Sequence, residues 1–154
     1  MNSIGKLGLI SGMLLAAAFF AGCSGDSPSG GAGQGHSHAA PHGGALVMLG
    51  NHLAQLELVA EENGNWALYT MDGGAERFIR VAQPGIAMKL DGRLAVFKAM
   101  ASEATGETVG DTAKFGGRAD WVDPGGHFEV VIDEIVIRGQ SFSDVSFHYP
   151  EGKH

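Results

Sequence analysis

The sequence predicts a single all-β domain, a β-sandwich or a small barrel, and three observations carry that expectation. Apolar and polar side chains alternate at a period of two, most clearly in 52–60 (HLAQLELVA). There Leu56, Leu58 and Ala60 share one face, with Glu57 and Val59 on the other, the mark of a half-buried strand. Turn-forming pairs (Asn63-Gly64, Asp72-Gly73, Pro84-Gly85, Asp91-Gly92) cut the chain into short runs at the spacing of sandwiches and barrels. No long stretch after residue 22 carries the 3.6-residue period of an amphipathic helix.

Taken in order, 45–49 (ALVML) is a short apolar strand ended by Gly50-Asn51. The alternating strand 52–60 follows. Asn63-Gly64 is a hairpin turn, and 66–71 (WALYTM) is the returning partner. Asp72-Gly73-Gly74 turns again, and 76–82 and 86–90 are the next two strands, separated by Pro84-Gly85. Asp91-Gly92 leads into 94–100. The segment 101–117 (ASEATGETVGDTAKFGG) is the least regular, and a short helix and an extended loop both remain open for it. Residues 128–137 (FEVVIDEIVI) and 141–149 form a terminal hairpin turned by Arg138-Gly139-Gln140. The β domain spans 41–150, and the tail 151–154 is expected to be loose.

The first 22 residues read as a targeting segment. Lys6 supplies a positive start and 7–21 an apolar run too short for a comfortable membrane span of roughly 20 residues. It ends in Phe20-Ala21-Gly22-Cys23, which resembles the lipobox of bacterial lipoproteins, with Phe20 in place of the usual Leu. The resemblance implies that Cys23 is lipidated and anchors the chain to the cell envelope, facing the periplasm. Ser24, where an Asp would favour inner-membrane retention in enterobacteria, points to the outer membrane. Residues 23–40 then form a tether rich in Gly, Ser and His, a composition with nothing to bury. Cys23 is the only cysteine, so no disulfide forms within the chain. The formal charge is −7 and grows by one negative unit when Lys6 leaves. That balance argues against nucleic acid and against anionic lipid headgroups as partners.

Four of the seven histidines lie between His36 and His52. His36 and His38 form an H-x-H pair that projects to one side of an extended chain. His42 follows in Pro41-His42-Gly43-Gly44. Neutral imidazole suits Cu(II) and Zn(II). The candidate metal ligands are therefore His36, His38 and His42, with His52 or Glu57 completing or orienting the site. The spacing matches no closed structural zinc motif. The competing view is structural: the paired glycines let the chain approach a strand closely, and His42 hydrogen-bonds across a sheet edge. His127 reads as a strand-start residue, and Met48, Met71, Met88 and Met100 as core. No nucleophile elbow, H-E-x-x-H, phosphate loop or dinucleotide fingerprint is present. Asp133-Glu134 sits within a strand, where neighbours point to opposite faces and share no proton-transfer task. The chain is expected to be non-enzymatic.

The runs PHGGALVMLGNHLAQLELV and NWALYTMDGGAERFIRVAQPGIAMKL resemble a group of small bacterial envelope lipoproteins. That group opens on His-Gly-Gly, continues with Gly-x-His and an E-L-V strand, and adds an L-Y-x-x-D-G hairpin. A similar module heads some periplasmic adaptors of heavy-metal efflux pumps. IVIRGQSFSDVSFH is more loosely similar to the group's closing hairpin. Residue by residue, the resemblance points to His42, Gly43, Gly44, His52 and Glu57. It departs at Gln55-Leu56, where the group often carries a second histidine. It implies metal buffering or hand-off to an efflux partner. The alternative is a metal-independent module that binds another envelope protein through a sheet face or edge.

Overall fold

Eight strands form one antiparallel sheet in the order β1-β2-β3-β6-β5-β4-β7-β8, curled until it is nearly a closed barrel. The strands of this computed structural model, which describes residues 39–153, are β1 (Ala45–Leu49), β2 (Ala54–Ala60), β3 (Asn65–Asp72) and β4 (Gly85–Leu90). They continue with β5 (Arg93–Ala99), β6 (Lys114–Arg118), β7 (Phe128–Ile137) and β8 (Gln140–Tyr149). All belong to one compact unit, Gly35–His154. The all-β expectation holds, and among the described residues the only helical turn is a short 3-10 segment at Glu62–Gly64.

The alternation in the sequence sets the inside of the barrel. Leu56 and Leu58 of β2, Leu68 of β3, Met88 of β4, Phe97 of β5, Phe115 of β6 and Ile132 of β7 are all fully buried in one continuous core. Trp66 lies at its centre, edge-on to Phe128 and Tyr149 at 5.7 and 5.1 Å between ring centroids. Such edge-to-face packing suits the ring quadrupoles.

Three stretches depart from the expected pattern. The segment 76–82 forms no strand; it makes only the bridges Met71↔Phe78 and Val81↔Thr112. The Asp72 carboxylate accepts the backbone N–H of Glu76 and of Arg77, which bends the chain where a ladder would have started. The irregular 101–117 resolves into two one-bridge turns, Ser102↔Glu107 and Thr108↔Asp111, followed by β6. In β7 the inward positions shift from 128, 130 and 132 to 135 and 137, so Asp133 and Glu134 are both exposed instead of opposed. The slip faces Asp144, which has φ 51° and falls outside the paired register.

The tail is not loose. Lys153 N–H donates to the Leu46 carbonyl and Met48 N–H donates to that of Lys153, a parallel bridge that fills the seam beside β1. Gly152 N–H donates to His148 of β8 at 2.7 Å. This closure requires glycine twice over. Gly152 has φ 73°, and a Cβ there would overlap the Leu46 carbonyl oxygen. Gly139 has a similar φ of 77° but open space around it. Gly139→Ala should therefore cost only the conformational term, about 1 kcal/mol. Gly152→Ala should cost clearly more in urea unfolding, because it also breaks the seam.

Candidate functional site

The site grows from the outer face of β2. Gln55 and Glu57 point away from the core, yet both are fully buried. The chain before β1 covers Glu57, while Gln55 meets Gly73 in the turn after β3. The Gly43 N–H donates to the Ala40 carbonyl at 3.1 Å, and Pro41 and His42 occupy the turn between them, a position that proline's fixed φ favours. Gly44 then passes so close to β2 that a Cβ would overlap the Leu58 carbonyl.

This segment is held by one carboxylate. Glu57 Oε1 accepts the backbone N–H of His42 at 2.8 Å and that of Gly44 at 2.9 Å. Glu57 Oε2 lies 2.7 Å from His42 Nδ1. An ionised carboxylate only accepts, so the ring proton belongs on Nδ1, and in the neutral ring Nε2 carries the lone pair. The ring is stacked on Tyr69, centroids 4.0 Å apart and planes within 10°, with Phe78 5.9 Å away. Tyr69 is the cross-strand partner of Glu57. The His42 side chain is 32% exposed while that of Glu57 is 0%. Only His42 is therefore within reach of a solute.

Beside this stack lies a smaller cluster of Leu46, Met71, Ala75 and Ala40. Gln55 Nε2 donates to the Gly73 carbonyl at 2.7 Å, and its buried Oε1 has no partner. On the other side a cavity of about 330 Å³ is walled by Tyr69, Phe78, Met100, Ser102, Thr105 and Lys114. Lys114 Nζ sits 5.2 Å over the Tyr69 ring and 2.8 Å from Glu61. The 101–113 loop that completes the wall is pinned by Glu107, which accepts the Thr105 hydroxyl and the Ala113 N–H.

Of the residues singled out by sequence, the structure brings His42 and Glu57 together. His52 sits in the β1–β2 turn with φ 56°, beyond the Leu49/Ala54 pair, whereas Glu57 pairs with Leu46 further along the ladder. Among the described residues no three of His, Cys, Asp and Glu group as a metal site. Cys23, His36 and His38 lie outside the described residues. His127 directly precedes β7, its Nδ1 2.5 Å from Glu151. Met71 and Met88 are buried, as core residues should be, while Met100 is exposed. Tyr69 and Phe78 were not singled out. A two-residue turn at Asn63-Gly64 would have set Thr70 opposite Glu57; the loop Glu62–Gly64 shifts the register by one residue and brings Tyr69 there instead. Phe78 had no local signal. No family model, no curated protein and no solved structure matches this chain.

Glu57→Ala removes the acceptor of two backbone donors and one ring donor. It should destabilise the fold by at least about 3 kcal/mol, since each of the three donors left without its acceptor costs roughly 1–3 kcal/mol. Urea unfolding tests this, with loss of the His42–Tyr69 ring-current shift as the local readout. For the loop, the Thr105 hydroxyl and the Ala113 N–H hold the Glu107 carboxyl below its usual range. A depressed carboxylate contributes fully above its unfolded value of about 4.3 and loses its contribution as pH falls through the folded value. The stability gap between the parent and Glu107→Gln should therefore be open at neutral pH and shrink over roughly pH 5 to 3.

Proposed function

We propose that this chain is a non-enzymatic protein of the bacterial cell envelope, lipid-anchored through Cys23 and facing the periplasm. It captures Cu(II) or Zn(II) with histidines where the tether meets the barrel, for buffering or for hand-off to an efflux partner. The observation that carries the reading is the orientation of His42. Its Nδ1 is bonded to a buried carboxylate and Nε2 is on the opposite edge of the ring. Carboxylate–histidine pairs of this kind set the tautomer and raise the basicity of a metal-binding imidazole. In this reading Glu57 orients and does not ligate, because both of its oxygens are already engaged. His36 and His38 would supply further imidazoles, in keeping with the affinity of imidazole for these ions.

Glu57→Gln separates this function from simple structural support. The amide carbonyl can still accept the two backbone N–H groups, but its NH₂ turned toward Nδ1 drives the ring proton onto Nε2. Titration calorimetry of residues 35–154 with Cu(II) should show affinity about 10- to 100-fold weaker in Glu57→Gln. His42→Ala should be at least as weak, and affinity in the parent should fall with pH, because imidazole must be neutral to bind metal. Equal affinity in the parent and both variants would end the metal reading at His42. A parallel His52→Ala titration reports whether the hairpin histidine takes part.

A second reading, a metal-independent interaction module, is favoured by the 330 Å³ cavity rimmed by the exposed side chains of Phe78 and Met100. Chelator would leave such binding unchanged.

A further inference from the structure

The charge of the barrel is not spread evenly. β4, β5 and β6 together hold five Lys or Arg residues and no Asp or Glu. The neighbouring β7 and β8 hold four Asp or Glu residues and no Lys or Arg. An acidic chain has thus gathered half of its ten cationic residues on three adjacent strands.

The outward positions of those strands follow from their inward ones. Ile86, Met88 and Leu90 of β4, Ala95 and Phe97 of β5, and Phe115 of β6 are buried in the core. Lys89 and Ala87, Leu94, Val96 and Lys98, and Lys114, Gly116 and Arg118 therefore face out. The register sets Lys89 beside Leu94, Ala87 beside Val96, and Lys98 beside Gly116. Lys114 is paired with Glu61 and Arg118 with Asp120, whereas Lys89 and Lys98 are in no ion pair with a described residue. Between the cations stand exposed apolar side chains: Leu94 is 60% exposed, Val96 55% and Val109 64%. Val109 comes from the 101–113 loop and borders the same surface as Val96 and Lys98.

We propose that this β4–β5–β6 face docks on an anionic phospholipid surface, that of the bilayer to which the chain is tethered. Amphipathic surfaces bind membranes by combining buried apolar area with attraction to acidic headgroups. Each unpaired cation near such a surface raises partitioning about fivefold. Lys89 and Lys98 alone would then supply roughly 25-fold, a weak interaction for a free protein. The proposal rests on the anchored reading to make it sufficient. On that reading an anchor at Cys23 tethers the domain to the same bilayer. Such a tether holds the domain at an effective concentration on the order of millimolar. The expectation drawn from net charge concerns the molecule as a whole, whereas the proposal concerns this one face and its two cations outside the ion pairs.

The test uses residues 35–154 in EDTA, so neither Cys23 nor a metal contributes. Sedimentation is measured with vesicles of phosphatidylcholine alone and of phosphatidylcholine with an equal share of phosphatidylglycerol. Binding is expected only to the second, and lost at about 1 M NaCl, where screening shortens to about 3 Å. Lys89→Gln/Lys98→Gln should weaken it at least tenfold, Val96→Asp should also weaken it, and Lys153→Gln beside β1 should not. Circular dichroism confirms that each variant is folded. Absence of binding to the acidic vesicles, or equal binding by the Lys89/Lys98 variant, overturns the proposal. So would a dimer in light scattering that Val96→Asp abolishes, since a second copy would then be the occupant.

Discussion

A carboxylate with no exposure to water must find donors inside the protein, and Glu57 finds three in the space of three residues. The demand shapes the neighbourhood. It fixes where the chain enters the barrel, because His42 and Gly44 must bring their N–H groups to one oxygen. It requires glycine at 44, where the chain runs against the Leu58 carbonyl. It orients the His42 ring by a bond from Nδ1, and the ring in turn covers Tyr69. Burying a charge is unfavourable unless it is fully paired, so the segment and the carboxylate stabilise one another or neither is stable in place.

The barrel itself was legible in the residues. Alternation at 56, 58 and 60, turn pairs at regular distances and the lack of a helical period all reported a sheet with one face on a core, and that core formed. Less legible was anything that depends on covering the outer face. Glu57 reads in the sequence as a solvent-facing strand residue, and it is buried where the preceding segment, with His42 and Gly44, closes over it. Phe78 belongs to a stretch with strand-like composition, yet Asp72 diverts the chain and leaves the ring to pack on Tyr69. The pairing of His42 with Glu57 was half visible. Both residues stood out, but as joint candidate ligands. Their difference in exposure is a property of the folded surface and has no local signature. His52 stood out for its spacing in the chain, whereas the ladder, by pairing Glu57 with Leu46, carries the turn that holds it away from the carboxylate.

The sheet order accounts for the charge asymmetry as well. β6, β5 and β4 are adjacent and stand in reverse order between β3 and β7, so Lys89, Lys98, Lys114 and Arg118, scattered along the chain, share one outward face. Net charge averages over such an arrangement and conceals it. The acid pairs on this surface come from outside the three strands, Glu61 before β3 and Asp120 after β6, and they quiet two cations at its margin. The remaining two stand next to exposed leucine and valine.

The seam at Lys153 has a bearing on how the molecule can be rearranged. Because Lys153 lies alongside Val47, the first and last segments of the barrel are neighbours in space. The sheet is then a ring whose starting point in the chain is incidental. Joining its two ends by a short linker and reopening the chain at the exposed Asp91-Gly92 turn would keep every ladder intact. Such a circular permutant would have its new ends between β4 and β5, so the direction in which the barrel is presented is separable from the way it folds.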